Sequence, residues 1–290
     1  MEEAIGDRRE TGGVRGVPAA RLRSNGFTVA GAVFLVAMVA AQVTSGLQPR
    51  PVQLTSVVVL LLAVGAVAFA AAVHGLPRAV TAFALVVAVG YAAESIGIRT
   101  GIPFGPYRYT DVLWPQLGGV PVIVALAWGG MGLAAHAVAV MVAPGNPRTS
   151  PTPETPGPTI PPAAPARMNL GAPARIAVGA LALTSWDLFL DPQMLRLGLW
   201  AWDEPGPYRG VPVSNFVGWV IVSLVVMTLL DKILHEAGNA GLVAVYAVMA
   251  VMETVGFAVV FEPPDLLVAS AGGACMGLFA LLAWRRRWLR

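Results

Sequence analysis

Two aspartates four residues apart, Asp187 and Asp191, close one apolar run, and two glutamates, Glu94 and Glu253, stand inside others. Ionisable groups in such runs are costly to bury and by default point to function. The four-residue spacing puts both aspartates on one helical face, and Pro192 is expected to end that helix directly after them. Two carboxyls at a helix C-terminus oppose the helix dipole as well as each other. Either an arginine such as Arg196 or Arg209 compensates, or the pair holds a proton. A pair that shares a proton keeps an acid and a base side by side. That suits a reaction that protonates a weakly basic, lipid-dissolved substrate and then deprotonates water. The competing account is that these acids pair with loop arginines and only fix the fold.

Aromatic residues gather near the same acids. Tyr91, Phe104, Tyr107, Tyr109, Trp114 and Trp128 follow or flank Glu94, and Trp186, Trp200, Trp202, Tyr208 and Trp219 accompany the aspartates. An interfacial aromatic belt accounts for many of them, yet aromatic faces also stabilise cations. Asn215 is placed to hydrogen-bond a water or hydroxyl there. Part of the pattern is written twice. G-P-Y-R occurs at 105–108 and 206–209, G-V-P-V at 119–122 and 210–213, and a tryptophan follows each G-V-P-V at the same interval, Trp128 and Trp219. The Pro and Gly of these loops predict irregular or re-entrant backbone, which at membrane depth must line a cavity. Glu253 stands in E-T-V-G, a short echo of E-S-I-G at Glu94.

The elements that must position these residues are membrane helices. Of the 290 residues 56% are hydrophobic and 12% charged, about half the charge of a soluble domain. The fold class expected is all-α, a polytopic transmembrane bundle of about eight spans: 27–46, 54–74, 79–97, 119–142, 174–190, 211–230, 241–261 and 266–284. The fifth is the shortest, and the two aspartates stand at its end. About two dozen polar, Arg-rich residues precede the first apolar run, so no cleaved signal is expected. The segment 143–171 is rich in Pro and Thr and reads as a disordered linker. It separates a first half (27–142) from a second (172–284), each with one copy of the repeated motifs, and basic tails flank them (1–26 and 285–290).

With eight spans and the N-terminus inside, 14 of the 19 Lys and Arg fall on the inner side. Both termini are therefore expected in the cytoplasm, and both motif loops on the outer face of a cell membrane. The net charge of +3 carries no sign of a nucleic-acid partner. Cys275 is the sole cysteine, and His74, His136 and His235 lack the short spacings of a metal motif, so no metal site is expected. Gly273 and Gly277 permit close helix packing, within the chain or in a homo-oligomer.

The run E-S-I-G-x3-G-x-P-F-G-x-Y-x-Y from Glu94, G-V-P-V-x5-W, S-W-D-L-F-L-D-P-Q-M (185–194), W-A-W (200–202) and G-V-P-V-S-N-F-x-G-W (210–219) together resemble the carotenoid biosynthesis membrane proteins. These include carotenoid 1,2-hydratases of the bisanhydrobacterioruberin hydratase type. The resemblance covers roughly residues 91–219. It implies a carotenoid partner in the lipid bilayer and addition of water across the terminal C=C of an acyclic end group, as in lycopene, γ-carotene or a C50 carotenoid. No redox cofactor is implied. On that reading Asp187 and Asp191 are the acid–base pair and Glu94 is a third acid or water-positioning group. Trp186, Trp202 and Tyr107 would face the cation, and Trp128, Tyr208, Asn215 and Trp219 would complete the substrate site.

Two other classes compete. A secondary transporter of a small lipophilic or anionic solute also shows duplicated motifs broken by Pro and Gly near membrane acids. An inverted-repeat transporter would put its copies on opposite sides, whereas both copies here fall on one. A carotenoid-binding membrane subunit without catalysis would need neither the acids nor water.

Overall fold

The computed structural model describes residues 19–48, 52–144, 171–234 and 236–288. Eight helices account for most of them: α1 (Ala19–Gly46), α2 (Val52–His74), α3 (Leu76–Thr100), α4 (Val122–Val142), α5 (Gly171–Arg196), α6 (Val213–Ile233), α7 (Ala240–Val255) and α8 (Leu266–Trp288). A π-helical turn, Gly256–Val260, continues α7. Seven of the eight are long and apolar enough to cross a membrane, α5 being the exception among the described residues. The chain is thus an all-α, multi-pass membrane protein. Most of the expected linker, the outer parts of both basic tails and His235 lie outside the described residues.

At the centre is α4, buried almost throughout its length. Its run W-G-G-M-G-L-A-A (128–135) explains how so many helices reach it. A Cβ at Gly129 would lie 2.5 Å from Phe83 of α3, and one at Gly130 2.8 Å from Leu62 of α2. Small residues let helix backbones approach where lipid supplies no hydrophobic drive. Helices α2, α3, α5, α7 and α8 all pack on α4, and α1 rests chiefly on α2. Gly273 of α8 is used within the chain, where a Cβ would meet Thr254 of α7 at 2.8 Å, while Gly277 faces open space.

The helices alternate in direction, so α3 and α5 run toward the same end of the bundle. Both motif loops lie there and are zipped together. Strand β1 (Tyr107–Tyr109) pairs antiparallel with β4 (Trp200–Trp202), matching Tyr107 with Trp202 and Tyr109 with Trp200. Between them β2 (Gln116–Leu117) and β3 (Val120–Pro121) form a small hairpin that leads into α4. The irregular backbone expected of the loops therefore includes short, paired strands. At the opposite end Arg175 of α5 makes a two-point ion pair with Asp231 of α6, at 2.5 and 2.9 Å, and reaches Glu236 at 2.8 Å.

The sequence reading of α5 needs correction. Pro192 does not end the helix, which continues through it to Arg196. Proline lacks the N–H that would bond the carbonyl of Leu188 one turn back. The Tyr208 hydroxyl donates to that carbonyl at 3.0 Å in its place. Burial, with the Asp265 carboxylate nearby, pushes the Tyr208 phenol up to about 12, which keeps it a donor. Removing the hydroxyl should leave the carbonyl unpaired at a cost of about 1 kcal/mol. Tyr208→Phe is therefore expected to lower the thermal midpoint in detergent, and Pro192→Ala added to it should recover part of the loss by restoring an N–H. A midpoint unchanged in Tyr208→Phe, or no recovery in the double variant, would contradict this role.

Candidate active site

The first wall of the site is built on Glu94, buried in α3. Its Oε2 accepts from the hydroxyls of Tyr107 and, at 2.7 Å, Tyr109, and its Oε1 accepts from the Trp128 indole N–H at 3.0 Å. Alternation along a strand puts Tyr107 and Tyr109 on one face, which is why Y-R-Y delivers two phenols to one carboxyl. Burial, followed by the neighbouring Glu94 carboxyl, holds both phenols well above the usual tyrosine range, so both stay O–H donors. The intervening Arg108 points outward and pairs with Asp203 at 2.5 Å on the exposed side, where such a pair contributes little. The glycine of E-S-I-G has a steric purpose. A Cβ at Gly97 would lie 2.9 Å from both the Tyr107 hydroxyl and the Phe104 ring. Gly90 does the same for Trp128, whose ring would meet a Cβ at 2.7 Å.

The second wall carries Asp187 and Asp191, both buried. Asn215, in the first turn of α6, bridges them. Its Nδ2 donates to Asp187 Oδ2 at 2.7 Å and also to Asp191 Oδ2. Asp187 Oδ1 is buried with no protein partner among the described residues. Of the two alternatives for the pair, compensation by Arg196 or Arg209 is not what the structure shows. Arg209 pairs with Asp265 at 2.7 Å, and Arg196 donates to the Pro263 carbonyl with its guanidinium 5.7 Å from the Phe257 ring centre. Amide, phenol and indole donors, not cations, hold the three carboxyls.

The walls meet across a small cavity of about 20 Å³ lined by Glu94, Asp191, Asn215, Tyr107, Tyr109 and several aromatics. That is room for about one water. Asp187 stands behind Asp191 and does not line it. Among the described residues, no His, Cys, Asp and Glu side chains converge in a group that could hold a metal ion.

The paired tryptophans of the two G-V-P-V copies come face to face, with Trp128 and Trp219 stacked 4.0 Å apart at 15°. Trp186 meets Trp219 edge-on at 6.1 Å. Tyr107 packs on Trp202 at 5.1 Å and Tyr109 on Trp200 at 5.6 Å, following the strand register. The indole N–H groups of Trp186 and Trp202 are buried without a partner among the described residues, and that of Trp200 is directed at the Asp191 carboxyl. Of the residues expected at the site, Glu94, Asp187, Asp191, Asn215, Tyr107, Trp128, Trp186, Trp202 and Trp219 are gathered into this region. Tyr208 stands apart, behind α5. Tyr109 and Trp200, expected only among the aromatics near the acids and given no role, also line the cavity. The signals for them were the alternating Y-R-Y and W-A-W triplets, each of which puts two rings on one face of a strand.

The acid cavity adjoins an apolar one of about 40 Å³, and the two share Trp200, Trp219, Val124 and Leu190. This in turn shares Trp186, Leu190, Met194, Thr55 and Val59 with a chamber of about 230 Å³ among α1, α2, α5 and α7.

Comparison with known proteins adds to the geometry. Residues 55–281 match the family described as carotenoid biosynthesis protein. The chain is 28% identical over 162 residues to the bisanhydrobacterioruberin hydratase of Haloarcula japonica. That alignment takes in 56% of this chain and 47% of the relative, so the match spans about half the relative's length. No solved structure matches the chain.

The steric role of Gly97 is open to test. Gly97→Ala should force Tyr107 and Phe104 away from α3 and destabilise the protein by about 1–3 kcal/mol, read as a lower thermal midpoint. A midpoint equal to that of the unaltered chain would show that Tyr107 is not held against Glu94 in this way.

Proposed function

This chain belongs to the carotenoid biosynthesis protein family, and from that premise we propose that it is a hydratase adding water to the terminal C=C of an acyclic carotenoid end group. The observation that carries the reading is a one-water cavity between two buried carboxyls, walled by aromatic rings and separated from an apolar cavity only by shared lining residues. The relative's name, a carotenoid hydratase, points the same way.

In the proposed reaction Asp191, coupled through Asn215 to Asp187, gives a proton to the less substituted alkene carbon. The C=C π pair forms the new C–H bond and leaves a cation on the tertiary carbon. The rings of Trp219, Trp128 and Trp202 stabilise that charge. A water held beside Glu94 forms the C–O bond and releases its proton to the carboxyl cluster, which restores the starting charge. Tyr107 and Tyr109 orient Glu94 for this task. Net consumption is one water, and the product is a tertiary alcohol. With both termini cytoplasmic, the site would lie at the outer face of the cell membrane, and the segment 143–171 would link two halves that each contribute one wall.

The transporter reading is less well supported, because both motif copies lie at one end of the bundle, in loops joined to each other by a strand pair. A non-catalytic carotenoid-binding subunit would leave the acids without a task. Expression in a lycopene-producing bacterium tests these alternatives. The wild type should yield pigment heavier by one water, and Asp191→Asn and Glu94→Gln, still inserted in the membrane, should lose activity by at least about 100-fold. Unchanged pigment from several acyclic carotenoids would reject the hydratase. Full activity in both variants would reject these residue roles.

A further inference from the structure

The chamber of about 230 Å³ is lined mainly by Met, Val and Leu side chains, yet polar side chains that the proposed reaction does not use also line it, Glu253 and Gln42 among them. Glu253 is 7% exposed and accepts no hydrogen bond from a described side chain. Among the described residues, Gln42 gives its amide N–H to the Met249 sulfur, at 3.5 Å, and its Oε1 is buried with no partner. They come from different helices, α7 and α1. The π-helical turn directly after Glu253 contributes Gly256 and Val260 to the chamber wall, followed by Phe261. Burying two acceptors in apolar surroundings is unfavourable unless a donor meets them. The place is also suited to a ligand. A chain-like molecule whose end reaches Asp191 would pass Trp186, Leu190 and Met194 and continue into this chamber.

We propose that Glu253 and Gln42 form an alcohol-recognising subsite, which accepts a hydrogen bond from a hydroxyl on an acyclic polyisoprenoid that lies in the chamber and extends toward Asp191. The inference rests on the carotenoid reading of the site but does not require turnover. Two sources of the hydroxyl share this chemistry: a substrate already bearing an alcohol near its reacting end, or the tertiary alcohol product once its hydroxyl has moved from the acid cavity into the chamber. Glu253 is a specificity residue in this account and takes no part in proton delivery to the alkene.

Equilibrium binding to the purified full chain in detergent tests the subsite, read by quenching of tryptophan fluorescence by the polyene. The probes are lycopene, its monohydrated tertiary alcohol, and an acyclic carotenoid bearing a tertiary alcohol beside an intact terminal C=C. The wild type should bind at least one of the two alcohols about tenfold tighter than lycopene, and the one preferred identifies the source. Glu253→Leu should abolish that preference while leaving lycopene affinity within about twofold, and Glu253→Gln, which keeps a carbonyl acceptor, should retain it. Gln42→Leu gives an independent second variant and should reduce the preference. Equal binding of all three probes by the wild type, or a preference that survives Glu253→Leu, would overturn the subsite. A protein that shows the preference without hydrating any carotenoid would keep the subsite and reject the hydratase.

Discussion

Three carboxyl groups are buried together in a membrane bundle with no cation beside them among the described residues, and much of the chain's local architecture follows from supplying them with donors. A buried acceptor left unpaired costs more than a formed hydrogen bond returns, so each donor has to be placed. Glu94 needs the phenols of Tyr107 and Tyr109, and the alternation of a strand is what puts both on one face. That strand needs a partner for its backbone, and β4 supplies it. The loop carrying β1 must also press against α3 and α6. That is possible because Gly97 and Gly218 offer no side chain where Phe104, Tyr107 and the Pro103 carbonyl pack. Ser214 holds the same loop through the Phe104 carbonyl at 3.0 Å.

The repeated motifs build one site from two segments. Each G-V-P-V copy starts a helix, α4 or α6, with its tryptophan two turns in, and the two rings stack on each other. The G-P-Y-R copies have diverged in use. Tyr107 serves a carboxyl in the site, whereas Tyr208 repairs the helix that carries the other two. The result is asymmetric. One wall presents a carboxyl held by two phenols and an indole, and the other presents a carboxyl pair bridged by a single amide.

Composition made the helices legible, since apolar runs of spanning length need no tertiary information to be recognised. The expected spans correspond to the eight helices, with most ends extended by a few residues. Spacing revealed the site in outline, because four-residue and two-residue intervals mark shared faces of helices and strands. What could not be read was the choice among partners. Pro192 is a fair helix stop by local rules, and only the distant Tyr208 hydroxyl lets α5 continue. Arg196 and Arg209 are as near to the aspartates in sequence as Asn215, but the folded chain engages them with Pro263 and Asp265. The separation of Asp191, which lines the cavity, from Asp187, which stands behind it, depends on how α5 faces α6.

The central claim is that carboxyl-borne protons and water together transform the alkene. Isotope tracing tests it most directly, with the purified protein turning over an acyclic carotene in deuterium oxide enriched in heavy-oxygen water. The account predicts one carbon-bound deuterium per hydrated end group, on the carbon next to the alcohol carbon, and a hydroxyl oxygen drawn from water. Oxygen derived from dioxygen, or an alcohol formed without carbon-bound deuterium, would contradict it.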